Sequence, residues 1–350
     1  MFLYSKLEYI ILSKINTEKI ILEKNKLNFF QIFIKSLNSK KNIFKNKEWL
    51  LINCPNIEIY NLIIKYSDYK NKEEAQKELE LCKEKEIKLL RYEEKRFPQK
   101  LKEIESPPIL LYYKGNFPLD KSLENSVSII GSRECYEEFG GKLAYKIGQK
   151  LAKEKKWNIS GLALGIDTFG HKGSLSNGGY TGAFIAQGLL TELYPKENFD
   201  LEKKIILKKG FIATEYPIFS KIYYKKFTLR NRLQAGIVDF LIIPEFNEKS
   251  GTLSTIEYGL KEKREVFICD PRKTLEKNIL YKIFNKGNIL FTFSEKELNE
   301  LYRDFNFENF KKSRLYKIKN NKNYVYSIVE KIPKFEKKEV GDKLGQQQLL

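Results

Sequence analysis

From about residue 126 onward, the pattern of apolar and polar positions alternates between two periods. Short apolar runs, typical of buried strands, are separated by stretches whose apolar residues recur at helical spacing. The runs predict strands at 127–130, 157–160, 180–186, 210–214, 239–245, 265–270 and 289–293, and the stretches predict helices at 139–151, 197–208, 250–263 and 273–285. This alternation predicts an α/β fold with a mostly parallel sheet and helices on both of its faces.

The rest of the chain has a different character on each side of this region. Residues 1–80 show helical patterns, notably at 27–37, 57–66 and 70–88, and we predict a small helical domain there. Prolines and glycines interrupt the next segment, in which 87–92 and 109–113 are predicted strands that lead into the sheet. We therefore predict three parts, namely a helical domain at 1–80, an α/β domain at 81–295 and a Lys-rich tail at 296–350, whose last residues are expected to be loose.

Two glycine turns follow the first two strands of the α/β region. The first is Gly131-Ser132-Arg133, and the second runs from Ser160-Gly161 to Gly165. Ligands bind outside the carboxyl ends of parallel strands, so we expect both turns to face one crevice. Backbone N–H groups at such turns hold phosphate, and an arginine adds a bidentate contact. The spacing does not match the dinucleotide fingerprint, which disfavours a nicotinamide or flavin enzyme, and no cofactor is predicted.

Residues 217–238 form what we call the basic aromatic segment. It contains no Asp or Glu, whereas its cations are Lys221, Lys225, Lys226, Arg230 and Arg232 and its tyrosines and phenylalanine near them are Tyr223, Tyr224 and Phe227. A groove for single-stranded nucleic acid needs cations along the backbone and rings for base stacking. The alternative is that the rings belong to the core and that the two arginines flank the start of a helix.

Further candidate residues follow the predicted strand at 239–245. Lys249, Ser250, Gly251 and Thr252 precede a predicted helix, which Ser250 or Thr252 would cap and whose N–H groups would hold a phosphate. Elsewhere, Asp167 is expected to cap the helix that follows the second glycine turn. The chain's one histidine, His171, is expected to be structural rather than catalytic.

Composition limits the class of protein. The net charge of +19 and the pI near 9.4 fit a polyanionic partner, although a chain rich in Ile, Asn, Tyr and Phe also indicates a base-composition bias that would supply lysines. No apolar run reaches the roughly 18 residues of a transmembrane helix. The four cysteines lie far apart, which indicates neither a disulfide framework nor a zinc site, and we expect a cytoplasmic protein.

Seven ordered blocks of the sequence resemble the DNA-processing protein family DprA, also called Smf. They are GSR (131–133), SGLALGIDTFGH (160–171), GGYTGAFIAQGL (178–189), YPKEN (194–198), TEYP (214–217), FTLRNR (227–232) and EFNEKSGTLSTIEYGL (245–260). The resemblance covers roughly residues 86–295. It implies an extended Rossmann fold, often preceded by a small helical domain, and a homodimer that binds and protects single-stranded DNA and helps to load the RecA recombinase during natural transformation. No catalytic activity is implied.

The resemblance also suggests roles for single residues. Phe227 falls where the family places a base-contacting aromatic residue, and Lys225 and Lys226 lie near a basic position of the family. Asn231 either contacts a phosphate or fixes the local backbone. Leu164 stands where the family commonly has arginine, which removes one phosphate contact, and the tail does not resemble the family's winged-helix domain.

Two other functions use the same kind of scaffold. The first is a nucleotide hydrolase similar to the LOG phosphoribohydrolases, but here Pro244-Glu245 and Gly251-Thr252 are separated by a longer loop and the acid, Glu257, lies five residues past Thr252, so the fit is poor. The second is a sensor that binds a small nucleotide in the same crevice, which fold alone does not exclude.

Overall fold

The computed structural model describes residues 2–18, 21, 26–247 and 250–269, together with the backbone of 289–292 and 316–318. Its helices are α1 (Lys6–Asn16), α2 (Lys26–Asn38), α3 (Lys47–Asn53), α4 (Ile57–Tyr66), α5 (Tyr69–Glu84), α6 (Gln99–Lys102), α7 (Lys142–Lys153), α8 (Ile166–Ser176), α9 (Phe199–Leu207), α10 (Tyr224–Ile237) and α11 (Thr252–Lys261). Its strands are β1 (Lys88–Arg91), β2 (Leu110–Gly115), β3 (Val127–Ile129), β4 (Asn158–Ser160), β5 (Thr181–Phe184), β6 (Phe211–Thr214), β7 (Phe240–Ile243), β8 (Glu265–Cys269), β9 (Ile289–Thr292) and β10 (Tyr316–Ile318).

The strands form one sheet of the doubly wound type. Its order is β1-β2-β6-β5-β4-β3-β7-β8-β9-β10, with antiparallel pairs at the two edges and parallel pairs from β6 to β9. The chain runs outward from β3 through β4 and β5 to β6, and then crosses to the other side of β3 as β7. The order therefore reverses between β3 and β7, which is where open α/β sheets bind ligands. The predicted fold class is confirmed.

Side chains of β7 show why this sheet needs helices on both faces. Phe240 and Ile242 pack with the α7 residues Leu143 and Ile147, whereas Leu241 and Ile243 belong to the cluster that holds Leu233 and Ile256 of α10 and α11. Successive strand residues point to opposite faces, and both faces of a parallel sheet are usually buried. The continuous apolar run that predicted this strand follows from that arrangement.

The predicted helical region at the N-terminus packs directly on the antiparallel edge of the sheet. Tyr9 of α1 and Phe33 of α2 share a core cluster with Tyr112 of β2 and Ile212 of β6. The Ser13 hydroxyl donates a hydrogen bond of 3.1 Å to the carbonyl of Glu215, just after β6. The helices thus bury a sheet face that would otherwise meet water, while the predicted domain boundaries stay predictions.

The largest difference from the sequence prediction is the basic aromatic segment, whose cations and rings are expected to line a groove. From Tyr224 to Ile237 it is helical, and its residues from Arg230 onward are buried. Between Pro217 and Gly236 no helix breaker occurs, and Lys, Arg, Leu, Gln and Ala favour helix. The predicted helix at 273–285 and nearly all of the tail at 296–350 lie outside the described residues. Among the residues described, no helix has the length and apolarity needed to cross a bilayer.

Candidate nucleic-acid interface

The two glycine turns meet at the carboxyl ends of β3 and β4, as their positions predict. Gly165 has φ +69° and ψ −123°, a backbone conformation that is open essentially to glycine alone. A Cβ atom at this position would lie 2.3 Å from the carbonyl oxygen of Ser132 and 2.4 Å from that of Arg133. Gly165 therefore allows the second turn to rest on the first, and together they form one floor.

The serines of these turns hold backbone rather than face solvent. Ser132 is buried, its N–H donates to the carbonyl of Glu245 at 2.9 Å, and its hydroxyl accepts from the N–H of Asn247 at 3.1 Å. Ser160 is fully buried and donates its hydroxyl to the carbonyl of Ile129 at 2.8 Å. A Cβ on Gly131 would collide with the Glu245 carbonyl at 2.3 Å. These residues thus join the turns after β3, β4 and β7, and the phosphate contacts that the sequence predicts for them stay predictions.

Asp167 is also structural, although not as the helix cap that we had predicted. Its Oδ2 accepts hydrogen bonds from the N–H groups of Gly161 at 2.9 Å and Ala163 at 3.3 Å, so it fixes the second glycine turn. Burial raises the pKa of Asp167, and the nearby Arg230 guanidinium opposes that shift. His171 is fully buried, with Nδ1 2.6 Å from the Thr181 hydroxyl, and burial lowers its pKa to about 3. It is therefore neutral and structural, as expected.

Three side chains from three different loops and elements form an exposed cluster above this floor. The guanidinium carbon of exposed Arg133 lies 5.7 Å from the ring centroid of Tyr194 and 5.2 Å from that of Phe227. The two ring centroids are 5.6 Å apart, and Tyr194 is 46% exposed. Its hydroxyl accepts a hydrogen bond of 3.3 Å from Arg133 Nη1. We call these three residues the Arg–Tyr–Phe cluster.

Tyr194 was not among the predicted site residues. It comes from the loop between β5 and α9, and no local spacing marks it as a partner of Arg133 or Phe227. The sequence feature that could have identified Tyr194 is its position in the YPKEN block, one of the seven blocks that resemble the family. The cluster is thus a product of the tertiary fold, because its members are separated by tens of residues in the chain.

The cluster borders a shallow pocket at the carboxyl ends of β3, β4 and β5. The pocket is lined by Arg133, Gly161, Ala163, Leu164, Tyr194, Pro195, Phe227 and Arg230. Its volume is about 20 Å³, which holds about one water molecule. It cannot enclose a nucleotide in this conformation, which disfavours a nucleotide hydrolase or sensor that works in this crevice. The arrangement suits a chain that lies across the surface and places its bases against the rings.

Arg230 supports the cluster from below. It is 5% exposed, and its Nη1 donates hydrogen bonds to the carbonyls of Gly161, at 2.8 Å, and Phe184. These bonds tie together the turns that follow β4 and β5. Burial lowers the pKa of Arg230 to about 10, against the opposing effect of Asp167, so the side chain stays charged at neutral pH. Its guanidinium group lines the pocket, but the two carbonyl hydrogen bonds hold it in place and keep it from extending into solvent.

The other predicted contacts on α10 face inward. Lys226 is 6% exposed and donates to the Ser220 hydroxyl and the Lys221 carbonyl, both at 2.6 Å. Arg232 is 3% exposed and donates to both carboxylate oxygens of Glu215, each at 2.6 Å. The sequence predicts that both cations contact DNA; their burial and their partners within the protein disfavour that role, because the helix turns their positions toward the interior.

The remaining predicted residues lie at the edge of the site. Asn231 is buried and donates to the Ser254 hydroxyl at 2.9 Å, which fixes α10 to α11 and favours the structural one of its two predicted roles. The Ser250 hydroxyl accepts from the N–H of Thr252, the first residue of α11, at 3.2 Å, and the N-cap position itself is the exposed Gly251. Lys225 is half-exposed at the first turn of α10. Lys249 lies outside the described residues.

The comparisons with known proteins agree with this architecture. Among curated relatives, the DNA processing protein DprA of Streptococcus pneumoniae is 39% identical over 171 residues, which are 49% of this chain and 58% of the relative. Protein Smf of a Synechocystis species is 37% identical over 173 residues, which are 49% of this chain and 43% of the relative. The matches thus span about half the length of these relatives.

Two solved structures are similar as well. The X-ray structure of DNA processing protein A from Streptococcus pneumoniae superposes with a TM-score of 0.65 at 26% identity, over 85% of this chain and 98% of that one. A structure of the same-named protein from Helicobacter pylori, described in terms of its single-stranded DNA binding mode, gives a TM-score of 0.51 at 25% identity, over 62% of this chain and 96% of that one.

A family model settles the relationship that the seven blocks predict. The model described as DNA recombination-mediator protein A matches residues 88–289, which is more than half of the chain. The match includes both glycine turns and all three members of the Arg–Tyr–Phe cluster. With the sheet order and the two similar structures, it shows that the chain belongs to the DNA recombination-mediator protein A family, whose members are named DprA or Smf.

Proposed function

We propose that this protein binds single-stranded DNA across the Arg–Tyr–Phe cluster, protects incoming strands in the cytoplasm and loads the RecA recombinase during natural transformation. The observation that carries the binding proposal is the cluster itself. It is an exposed guanidinium packed against two partly exposed rings, at the carboxyl-end edge of the parallel strands. No covalent chemistry is part of the proposal.

The chemistry of the cluster favours an unpaired strand over a duplex. Arg133 offers a fork of N–H donors that matches a phosphate, and the rings of Tyr194 and Phe227 offer stacking surface. A base stacks on such a ring only when its face is exposed, whereas the base faces of a duplex are covered by neighbouring pairs. The buried guanidinium of Arg230 adds positive potential beneath the site, and the net charge of +19 favours approach of a polyanion.

The wider role rests on similarity. The described binding mode of the Helicobacter pylori relative supports strand binding, and the names of the family support a role in recombination. The family resemblance also implies that the protein loads a recombinase and that it assembles as a homodimer. We include both of these properties in the proposal.

The binding proposal is tested by titrating labelled oligo-dT and a duplex of equal length with the full chain across a salt series. We expect strand-selective binding whose affinity falls steeply with salt. Arg133→Ala should weaken binding to all sequences and reduce the salt slope by about 0.7 for each phosphate that the protein no longer neutralises. The matched control is Lys77→Ala, which removes one exposed positive charge from α5. Equal slopes for the Arg133 variant and the unchanged chain would overturn the site assignment.

A further inference from the structure

A second, larger pocket lies on the other side of the loop that carries Tyr194. It opens between β2, the loop after β5 and α9, and its volume is about 400 Å³, within the range of about 300–1,000 Å³ typical of small-molecule sites. It shares no lining residue with the pocket beside the Arg–Tyr–Phe cluster. We call it the Phe199 pocket, after the aromatic residue in its wall.

The shape of the Phe199 pocket is fixed by backbone hydrogen bonds of the loop. The N–H of Gly188 donates to the carbonyl of Ser220, and the N–H of Leu190 donates to that of Ile218, both at 2.9 Å. The Gln187 side-chain amide donates to the carbonyl of Glu192 at 2.7 Å, across the base of the loop. A ligand would therefore meet a preformed wall rather than a loop that it must order.

The walls combine an apolar surface with acceptors that lack donors. Ile185, Leu189 and Leu193 are buried apolar residues, and the ring of Phe199 is 51% exposed. Glu202 is partly buried, which raises the pKa of its carboxyl group. Within the described part of the chain no N–H or O–H group donates to this carboxyl group.

Gln187 lies behind the same wall. It is 1% exposed, its amide N–H donates to the Glu192 carbonyl, and its buried Oε1 has no donor among the described residues. Two cations complete the lining. Lys114 interacts electrostatically with Glu202, and Lys196 pairs with the exposed Glu192 at 2.7 Å. A fitting ligand is thus planar and apolar in its body, presents N–H donors on one edge, and carries an acceptor and an anionic group.

We propose that the Phe199 pocket binds a guanine base that carries a phosphate. Of the four DNA bases, guanine presents two adjacent N–H donor groups, N1–H and the exocyclic amine, which match the two oxygens of the Glu202 carboxylate. Its neighbouring O6 is an acceptor for Lys114, and the phosphate suits Lys196. The same chemistry describes a free guanine nucleotide and a guanine within a bound strand.

The test is a calorimetric titration of the full chain with dGMP, dIMP and dAMP. We expect saturable binding of dGMP, and binding of dIMP about tenfold weaker or more, because dIMP lacks the exocyclic amine that donates to a charged acceptor. Glu202→Gln should weaken dGMP binding by about tenfold or more for the same reason and leave oligo-dT binding unchanged. Asp200→Asn, which removes an exposed carboxylate of the same helix outside the pocket lining, should not weaken it.

Two further experiments show whether the guanine comes from a bound strand or from a free nucleotide, and whether this pocket binds independently of the Arg–Tyr–Phe cluster. If the pocket holds a base of the bound strand, replacing one thymine of oligo-dT by guanine raises the affinity of the protein for the strand, and added dGMP abolishes only that increase. If the pocket holds a free nucleotide, the guanine leaves the affinity for the strand unchanged. Arg133→Ala should leave dGMP binding intact, so failure of the strand-binding proposal is seen separately. No saturable dGMP binding, equal affinity for dIMP, or an unaffected Glu202 variant would each overturn the inference.

Discussion

At the scale of single residues, two arginines that the sequence predicts as contacts for DNA have opposite surroundings. Arg133 is exposed and contacts rings, whereas Arg230 is 5% exposed and donates to backbone carbonyls. An exposed guanidinium is able to neutralise a phosphate, while a buried one is committed to the turns it joins. The two residues therefore affect strand binding by different routes, and their substitutions are expected to separate these routes.

Phe227→Ala should weaken binding of oligo-dT by roughly 1–3 kcal/mol, since it removes one stacking surface and no charge. The salt slope should stay nearly unchanged, because phosphate contacts set that slope. Phe219→Ala is the matched control, as Phe219 is 60% exposed in the same segment and is not part of the cluster. Fluorescence titration at several salt concentrations measures both quantities. A fall in slope that accompanies the fall in affinity would mean that the Arg133 side chain had moved from its position as well.

Arg230→Ala should lower stability first. It leaves the carbonyls of Gly161 and Phe184 without their donor, and each buried carbonyl without a donor costs about 1–3 kcal/mol. Urea unfolding should therefore show a decrease of a few kcal/mol in the free energy of unfolding, whereas Arg133→Ala should leave the unfolding midpoint unchanged. If Arg230→Ala keeps full stability and reduces the salt slope as Arg133→Ala does, then Arg230 contacts the strand directly and our interpretation is wrong.

At the scale of elements, the site is built from turns that hold one another. Asp167 fixes the turn after β4, Arg230 joins it to the turn after β5, and Gly165 lets it rest on the turn after β3. The position of Arg133 thus depends on contacts that no single element supplies. A change that separates two turns should disturb the interface even when it leaves every interface residue in place.

Gly165→Ala tests this dependence. The new Cβ would lie within 2.4 Å of two carbonyl oxygens in a backbone conformation that disfavours side chains, so we expect a decrease of several kcal/mol in stability and weaker oligo-dT binding. Gly178→Ala is a close control, because Gly178 has nearly the same φ, +68°, and nothing within 4 Å. It should cost only about 1–2 kcal/mol of left-handed strain and leave binding intact. Equal effects of the two variants would show that backbone conformation, and not the contact between turns, is what matters.

The same contrast explains how far the sequence alone was informative. The strands from 127 to 269 were predictable because buried parallel strands appear as short apolar runs, and the glycine turns because their position after a strand has a physical meaning. The inward-facing Lys226 and Arg232 were not predictable, because the charges that pair with a cation are set by tertiary contacts. Tyr194 was missed because its contacts with Arg133 and Phe227 are likewise tertiary contacts between distant parts of the chain. Local composition marked the right segment but not which of its faces meets solvent.

At the scale of the whole molecule, a buried ion network joins the N-terminal helices to the sheet. Glu215, just after β6, is 1% exposed and accepts from Arg232 of α10 and, at 3.0 Å, from Lys26 at the start of α2. Burial alone would raise the pKa of Glu215, but the charges of Arg232 and Lys26 outweigh it and lower the pKa to about 2. The helical region is therefore anchored to the same helix, α10, that carries Phe227.

This network gives stability a defined dependence on acid. Because the pKa of Glu215 is lower in the folded chain than its ordinary value of 4.5, its ionised form stabilises the fold fully above that pH. The contribution is lost as the pH falls from about 4.5 to about 2. Lys26→Met removes one of the two charges that lower this pKa, whereas Arg232 still satisfies both carboxylate oxygens, so the variant should fold.

We expect the free energy of unfolding of Lys26→Met to fall less steeply with acid than that of the unchanged chain, as the folded pKa of Glu215 moves back toward its ordinary value. Urea unfolding at a series of pH values within that window measures the slope. Lys6→Met removes an exposed charge from α1 and should leave the slope unchanged. If the Lys26 variant keeps the original slope, then Arg232 alone holds Glu215 ionised, and the link between the N-terminal helices and the sheet is carried by apolar packing of residues such as Tyr9 and Phe33.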